Sequence, residues 1–449
     1  MNLLKVVIIG AGKVGCQIAK TLSSENQEVV LIEKDNEIRQ AAQNSLDVLT
    51  VSGNGANVHT LEKAGITEAD MLIAVTDSDE TNILACLAAK KFGVATKVAR
   101  LRNIEYVYNN ALPWEQLGID FVINPEIATA KQIVKLFESP LNVAQAQSFA
   151  EGRVQLLELK IKKDFPFIDQ KLKNIKFKYP ILIAAIDRKD RIIIPDGEEK
   201  IILGDNIYIL IEEGNLLRLN ELFQENPFKI QNVIILGGSN IGIQTSLLLA
   251  ELGIKTKLIE VNKEKCEELA EKLPATLIIN GDGTNLDLLK SEGIEHTDAL
   301  VAVTGIDEEN LLVALLAKHL GAKRVVAKID RTNYIPILEK LGVDAVVNPR
   351  ITTASEILRF IRKGKILSLT LLKEGEAEII ELVAQPTSKI INKPLKRLNL
   401  PRNSIIGAIV RQDKVIIPHG EDSIQPEDKI IIFALSSEIK KIEQMIDRK

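Results

Sequence analysis

The sequence predicts an α/β protein of two tandem parallel-sheet domains, each followed by a small α+β domain. Three observations carry that expectation. The chain repeats itself over nearly its whole length; within each copy, short apolar runs alternate with helical patterns; and each copy then changes to closely spaced strand-like runs.

The repeat is read directly from the residues. VVIIGAGKVG at 6–15 returns as VIILGGSNIG at 233–242, and AVTDSDETNILACLAAKKFG at 74–93 returns as AVTGIDEENLLVALLAKHLG at 302–321. Asn124-Pro125 answers Asn348-Pro349, and Ile194-Pro195-Asp196-Gly197 answers Ile417-Pro418-His419-Gly420. A spacing of about 225 residues far exceeds the roughly 20–50 of solenoid repeats, so a two-part unit has been duplicated.

Within the first copy, strands are expected at 5–9, 29–32, 48–51, 71–75, 97–100 and 121–123. They are continuously apolar, as a sheet buried on both faces requires. The segment 80–92 carries Ile83, Leu84, Cys86, Leu87, Ala88 and Ala89, an apolar face suited to a crossover helix. A longer helix is expected after Pro125, to about Ser139. From about Glu151 the runs fall at 154–161, 181–186, 191–194 and 206–211, with one short helix near 167–172. Lys189-Asp190 and Gln412-Asp413 are placed to turn hairpins, and 212–228, with Gly214 and Pro227, is the expected linker. The domains expected are 1–140, 141–226, 227–361 and 362–449.

Composition narrows the function. The 57 Lys and Arg against 61 Asp and Glu leave a net charge of −4, so no nucleic-acid partner is expected. Cys16, Cys86 and Cys266 are few and far apart, which excludes a disulfide or zinc framework and suits a reducing cytosol. Residues 1–5, MNLLK, lack the pattern of a signal peptide, and runs such as 6–9 and 430–433 fall well short of the ~18 residues that span a bilayer. A soluble, cytoplasmic chain is expected.

Gly10-Ala11-Gly12-Lys13-Val14-Gly15 follows a strand and opens a helix, the context that makes a glycine motif a dinucleotide fingerprint and the domain Rossmann-like. Gly10 permits the tight turn, Gly12 lets backbone approach a pyrophosphate, and Gly15 lets helix pack on strand. Glu33 ends the second strand, where its carboxylate can accept both ribose hydroxyls and favour NAD over NADP. Asn54-Gly55, Thr76-Asp77 and Arg100 end the third, fourth and fifth strands, where open α/β sheets bind ligands. An ordinary turn also accounts for Asn54-Gly55, and a surface salt bridge for Arg100.

The second copy keeps the outline. Gly237-Gly238-Ser239-Asn240-Ile241-Gly242 puts Ser239 where Gly12 stood, adding a side chain at the expected point of closest phosphate approach. Glu260 retains the ribose acid, Asp282-Gly283 answers Asn54-Gly55, Thr304 answers Thr76, and Lys328 replaces Arg100.

These residues, with VARLR at 98–102, NPE at 124–126 and the IIIPDG hairpin followed by Gly204-Asp205, resemble the TrkA family of Trk potassium-uptake proteins. The resemblance covers essentially the whole chain. It implies two regulator-of-potassium-conductance (RCK) units, each an N-terminal Rossmann domain with a C-terminal RCK domain. It also implies a cytoplasmic ring, four chains supplying eight units, beneath an integral membrane potassium transporter. The cofactors implied are NAD(H), with ATP and ADP as alternative adenine nucleotides. The loop from Gly10 to Val14, Glu33, Asn54-Gly55, Thr76-Asp77 and Arg100 match the family's nucleotide-contacting positions. Glu126 matches an acidic position near the ligand or a bound cation; Arg350 takes its place in the second half.

The rival expectation is an NAD-dependent oxidoreductase, which needs a group to move a proton as hydride moves. Only His59, His296, His319 and His419 exist, and none recurs in the other copy. A regulator needs only different affinities for two states. For the ring, apolar residues at 103–117 and 125–137 are candidate contacts: Ile104, Tyr106, Val107, Leu112, Trp114, Ile133, Val134 and Leu136. The alternative is that these helices cover their own sheet.

Overall fold

The computed structural model describes residues 4–24, 27–107, 112–138, 145–189, 191–219, 230–335, 338, 341–361 and 366–446. In the first N-terminal domain, the β-branched runs form parallel strands: β1 (Lys5–Ile9), β2 (Glu28–Glu33), β3 (Leu49–Ser52), β4 (Met71–Ala74), β5 (Thr96–Arg100) and β6 (Phe121–Ile123). Their order is β3-β2-β1-β4-β5-β6. That is the Rossmann order, with its reversal between β1 and β4, where ligands bind. Val6, Val7 and Ile8 are fully buried because helices cover both faces of the sheet.

The connections are helical: α1 (Lys13–Ser24), α2 (Asn36–Ser45), α3 (Val58–Lys63), α4 (Asp79–Lys91), the short α5 (Ile104–Val107) and α6 (Trp114–Leu117), and α7 (Pro125–Glu138). Local chemistry sets their ends. Asp35 accepts from the N–H groups of Glu37 and Ile38 to start α2. Ser78 caps α4, whose first turn carries Asp79 and Glu80 and whose last turn carries Lys90 and Lys91, matching the helix dipole.

The second half repeats this with β12 (Asn232–Leu236), α8 (Asn240–Glu251), β13 (Lys255–Glu260), α9 (Lys263–Lys272), β14 (Thr276–Asn280), α10 (Leu286–Ser291), β15 (Ala299–Ala302), α11 (Asp307–His319), β16 (Arg324–Lys328), β17 (Ala345–Val347) and α12 (Pro349–Ile361). Its strand order, β14-β13-β12-β15-β16-β17, is the same.

Each small domain is a five-stranded sheet. The first contains β7 (Gln145–Phe149), β8 (Val154–Lys160), β9 (Ile181–Arg188), β10 (Arg191–Ile193) and β11 (Asn206–Glu212), in the order β10-β9-β11-β8-β7. The second contains β18 (Ile366–Leu372), β19 (Ala377–Val383), β20 (Ser404–Arg411), β21 (Lys414–Ile416) and β22 (Lys429–Leu435), closed by the helix α13 (Ile439–Ile446). Neighbouring strands run antiparallel.

Sequence reasoning missed β7, because QAQSF has no apolar alternation. The expected helical turn lies later, at Leu172–Asn174, and a second short helix spans Glu213–Arg218. Lys189 and Gln412 adopt φ of +50° and +53° at the hairpin turns; Asp190 lies outside the described residues. The expected linker starts late, since Leu216 and Leu219 are buried in the core of the first small domain. Residues 220–229 lie outside the described residues.

The halves exchange helices. α7 follows β6 of the first sheet, yet its Ile133, Val134, Leu136 and Phe137 share a core with Val233, Ile235, Leu249 and Leu258 of the second half. In return, Ala354, Ile357 and Leu358 of α12 join Val6, Ile8 and Ile18 of the first. Phe360 of α12 stacks on Phe121 of β6, centroids 4.4 Å apart and planes 10° from parallel. This answers one alternative left by the sequence: α7 covers neither its own sheet nor an outside partner with these residues, but the other half of the chain. The small domains also share a core, in which Phe149, Leu156 and Leu210 meet Ile379, Ala408 and Phe433.

Candidate nucleotide site

The first glycine loop is built by steric necessity. Gly10 takes φ +101°, and a Cβ there would stand 3.1 Å from the Thr76 nitrogen; a Cβ on Gly15 would lie 1.9 Å from the Gly10 carbonyl oxygen. A Cβ on Gly12 would meet nothing within 4 Å. The loop therefore packs tightly beneath and leaves its Gly12 face open. The Val14 side chain is buried in the core, so only its backbone can serve a ligand, while Lys13 is exposed.

Glu33 is locked beside the loop. Its carboxylate accepts the Ala11 N–H at 2.8 Å and the Asp35 N–H at 3.0 Å. Gly55 sits close to the same edge because a Cβ would lie 2.0 Å from Ile9. The exposed Asn54 accepts the Ala56 N–H at 2.9 Å, an Asx turn that leaves the segment at the sheet's edge.

Across the crevice, Arg100 donates to the Thr76 carbonyl and the Asp77 carboxylate, each at 2.7 Å. Asp77 is almost fully exposed, whereas Arg100 is largely covered and its Nε has no partner. The guanidinium is thus held at the mouth of the site, with its only carboxylate partner among the described residues in solvent.

Two residues that sequence reasoning passed over organise this rim. Asn82 is fully buried: it accepts from the Thr76 N–H at 2.9 Å and donates to the carbonyls of Thr76 and Arg100 at 3.0 and 2.8 Å. Asp79 accepts the N–H groups of Arg102 and Asn103. The conspicuous DSDETN stretch is therefore a clamp that fixes the ends of β4 and β5. Asn310 and Asp307 repeat it on Thr304, Lys328, Asp330 and Arg331. The signal was available, since only these two polar positions of the stretch recur in both copies beside the initial Thr and one Glu.

The second site differs where it matters. Ser239 does not project toward the phosphate approach as expected: its hydroxyl donates to the Val303 carbonyl at 2.7 Å and accepts the Gly242 N–H at 3.3 Å. It caps α8 instead. Asn240 is exposed and Ile241 buried, like Lys13 and Val14. Gly237, at φ +103°, approaches Thr304 as Gly10 approaches Thr76, and Gly283 clears Leu236 as Gly55 clears Ile9. Asp282 accepts from the Thr284 hydroxyl and N–H, which hold its carboxyl below the ordinary value.

Glu260 accepts the N–H groups of Gly238 and Asn262 at 2.9 and 3.0 Å, and Lys265 lies 3.1 Å away. Burial pushes this carboxyl up, but those two N–H groups and the ammonium outweigh it and keep it below its ordinary value. Lys328 pairs with Asp330 at 2.7 Å, a different carboxylate from the one Arg100 uses, because Gly305 stands where Asp77 did.

Glu126 is buried; one oxygen accepts from Arg102 at 3.0 Å and the other has no partner. Arg350 instead donates to the Asp330 carbonyl at 2.7 Å. No group of metal-binding side chains occurs among the described residues. A cavity of about 430 Å³ lies between the halves, bounded by Lys13 and Gln17 on one side and by Asp330, Arg331, Asn333 and Arg350 on the other. All four histidines are exposed and none adjoins either glycine loop in sequence or through a described hydrogen bond.

Comparison with known proteins places this arrangement. The TrkA-N domain family model matches residues 6–125 and 233–349, and the TrkA-C domain model matches 156–224 and 379–447. The chain belongs to the TrkA family. It is 37% identical to Trk system potassium uptake protein TrkA homolog 1 of Methanosarcina mazei, over 98% of this chain and 99% of that one. The TrkA homolog of Archaeoglobus fulgidus is 36% identical, covering 98% and 100%; TrkA of Azorhizobium caulinodans is 34% identical, covering 98% of each. Among solved structures, the GsuK channel bound to NAD aligns over 99% of this chain and 79% of that one, with TM-score 0.59 and 18% identity. The GsuK RCK domain aligns over 99% and 95%, with TM-score 0.58 and 17% identity. At that identity the likeness is one of fold. The TrkA-family relatives are named as potassium-uptake proteins.

Proposed function

We propose that the chain is the nucleotide-binding regulatory subunit of a Trk-type potassium uptake system, gating a membrane potassium transporter in response to NAD(H) and ATP or ADP. The observation that carries this reading is the open Gly12 face at the start of α1, with Glu33 fixed beside it, in a chain of the TrkA family. The helix N-terminus offers N–H groups and partial positive charge to a pyrophosphate, and Glu33 offers acceptors to a ribose diol. Arg100, with Thr76-Asp77, lies across the crevice to meet a phosphate. The loop Gly237-Gly238-Ser239-Asn240-Ile241 with Glu260, Asp282-Gly283, Thr304 and Lys328 forms the corresponding second site.

The chain works as a homo-oligomer, with four copies giving a ring of eight units. Leu84 on α4 and Leu312 on α11 occupy equivalent positions and are each about half exposed, so each chain presents the same apolar feature twice. Repetition of one surface suits a closed ring. No helix among the described residues is long and apolar enough to cross a membrane. The subunit therefore meets the transporter through protein contacts at the cytoplasmic face of the membrane.

Calorimetry of the full chain with NAD⁺, NADH, ADP and ATP, alongside potassium flux through the reconstituted transporter, tests the proposal. Gly12→Asp should remove binding at the first site through crowding and charge repulsion at the pyrophosphate. Unchanged first-site affinity in a folded Gly12→Asp protein, or flux indifferent to every nucleotide, would overturn it.

A further inference from the structure

The two halves present the same ribose acid in different company. In the first half, position 38 on α2 is an isoleucine, 44% exposed, and no cation is recorded against Glu33 among the described contacts. In the second, the equivalent residue on α9 is Lys265, whose ammonium stands 3.1 Å from the Glu260 oxygen that also accepts the Gly238 N–H. The other Glu260 oxygen accepts the Asn262 N–H. The end of the Lys265 stem also nears the glycine loop: a Cβ on Gly238 would lie 2.5 Å from Leu269 Cδ1, 3.0 Å from the Glu260 carboxylate and 3.4 Å from Lys265 Cε. That residue is alanine in the first loop. The ammonium thus already occupies one oxygen of the carboxylate that a ribose would use.

We propose that Lys265 is a specificity-determining residue of the second nucleotide site, an internal competitor that a ribose diol must displace from Glu260. The inference rests on reading the second glycine loop as a nucleotide site. A diol donates two hydrogen bonds to its carboxylate, and Lys265 already supplies one stronger, charged donor to the same group. A nucleotide entering the second half therefore exchanges an ion pair for neutral hydrogen bonds. In the first half no ammonium among the described residues pairs with Glu33. The two sites consequently differ in affinity through one side chain at the ribose end, independently of Ser239 and Lys328 at the phosphate end. Because Lys265 is 42% exposed, salt screens the pair, and the handicap of the second site shrinks as ionic strength rises.

The test is photolabelling of the full chain with 8-azido-ADP, followed by peptide mapping. Saturation of the label in each half then reports each site within one sample. Lys265→Met, which keeps the stem length and removes the charge, should tighten second-half labelling by about two- to five-fold, the size expected for a partly exposed ion pair. First-half labelling should stay unchanged, Lys265→Arg should behave as the parent, and the gain from Lys265→Met should fall between 50 mM and 500 mM potassium chloride. Those salt arms separate a charge effect from mere packing of the stem. Weaker second-half labelling in Lys265→Met would show that the ammonium contacts the nucleotide, and would overturn the proposal. So would an unchanged second-half curve in a chain whose first half still labels. Absence of label from both halves would defeat the nucleotide reading itself, and this inference with it.

Discussion

Single residues decide how the site is held together. Asn82 accepts from one backbone N–H and donates to two carbonyls while fully buried, so its removal takes away the partners of three backbone groups at once. Asn82→Ala is expected to cost about 1–3 kcal/mol or more, because several polar groups lose partners at once. Thermal unfolding would measure that loss, and a melting temperature equal to the parent's would contradict the clamp. Arg100 would also lose its fixed anchor on the Thr76 carbonyl, so nucleotide affinity should fall in the same variant. Glu33 and Glu260 carry the same chemistry in sequence, and the residue five positions on, Ile38 or Lys265, sets their surroundings apart. The sequence places residue 265 near residue 260, but only the first turn of α9 brings the ammonium to 3.1 Å from the acid.

At the scale of elements, the hydrophobic pattern and the strand order agree. Each strand of the first parallel sheet falls within a residue or so of its expected position, since a buried strand must be continuously apolar and a turn must follow it. The polar β7 escaped notice because its register comes from pairing with β8, Gln145 against Glu158 and Phe149 against Val154, not from its own pattern. The destination of α7 was equally illegible. Its apolar face predicts burial but names no partner, and the partner proves to be α8 and the second sheet. Ile133→Ala is accordingly expected to destabilise the chain by about 2–5 kcal/mol, as for other buried large-to-small changes. Hydrogen exchange should show the added opening in α8 and β12, across the exchange. Opening confined to β1–β6 would contradict it.

For the whole molecule, the paired small domains add a titrating contact. Glu381 is 5% exposed and accepts the Ala150 N–H at 2.9 Å, across the boundary between the two domains. Burial holds its carboxyl above the ordinary value, outweighing the Ala150 N–H and Lys429, with Glu151 adding in the same direction as burial. A carboxyl raised in the folded state contributes stability that is present below its unfolded pKa and lost as pH rises through the folded value. Glu381→Gln should therefore melt higher than the parent at neutral pH, and the difference should close as the pH falls toward about 4.3, the ordinary glutamate value. A difference that stays constant from pH 4 to 8 would remove Glu381 from the account. For the proposed ring, Leu84→Asp with Leu312→Asp should lower the mass found by light scattering. A parent chain that is monomeric at micromolar concentration would exclude the ring itself.

The sequence by itself determined the duplication, the two parallel sheets, the glycine loops and the acids beside them, because each depends on residues close together along the chain or on strict periodicity. Only the tertiary structure decided that α7 and α12 change places, that Asp79 and Asn82 clamp the crevice, that Ser239 turns inward, and that Lys265 pairs with Glu260. Those facts depend on which surfaces meet after folding. An apolar face can be buried by any complementary partner, and a polar side chain bonds whichever unsatisfied group the fold brings within about 3 Å of it.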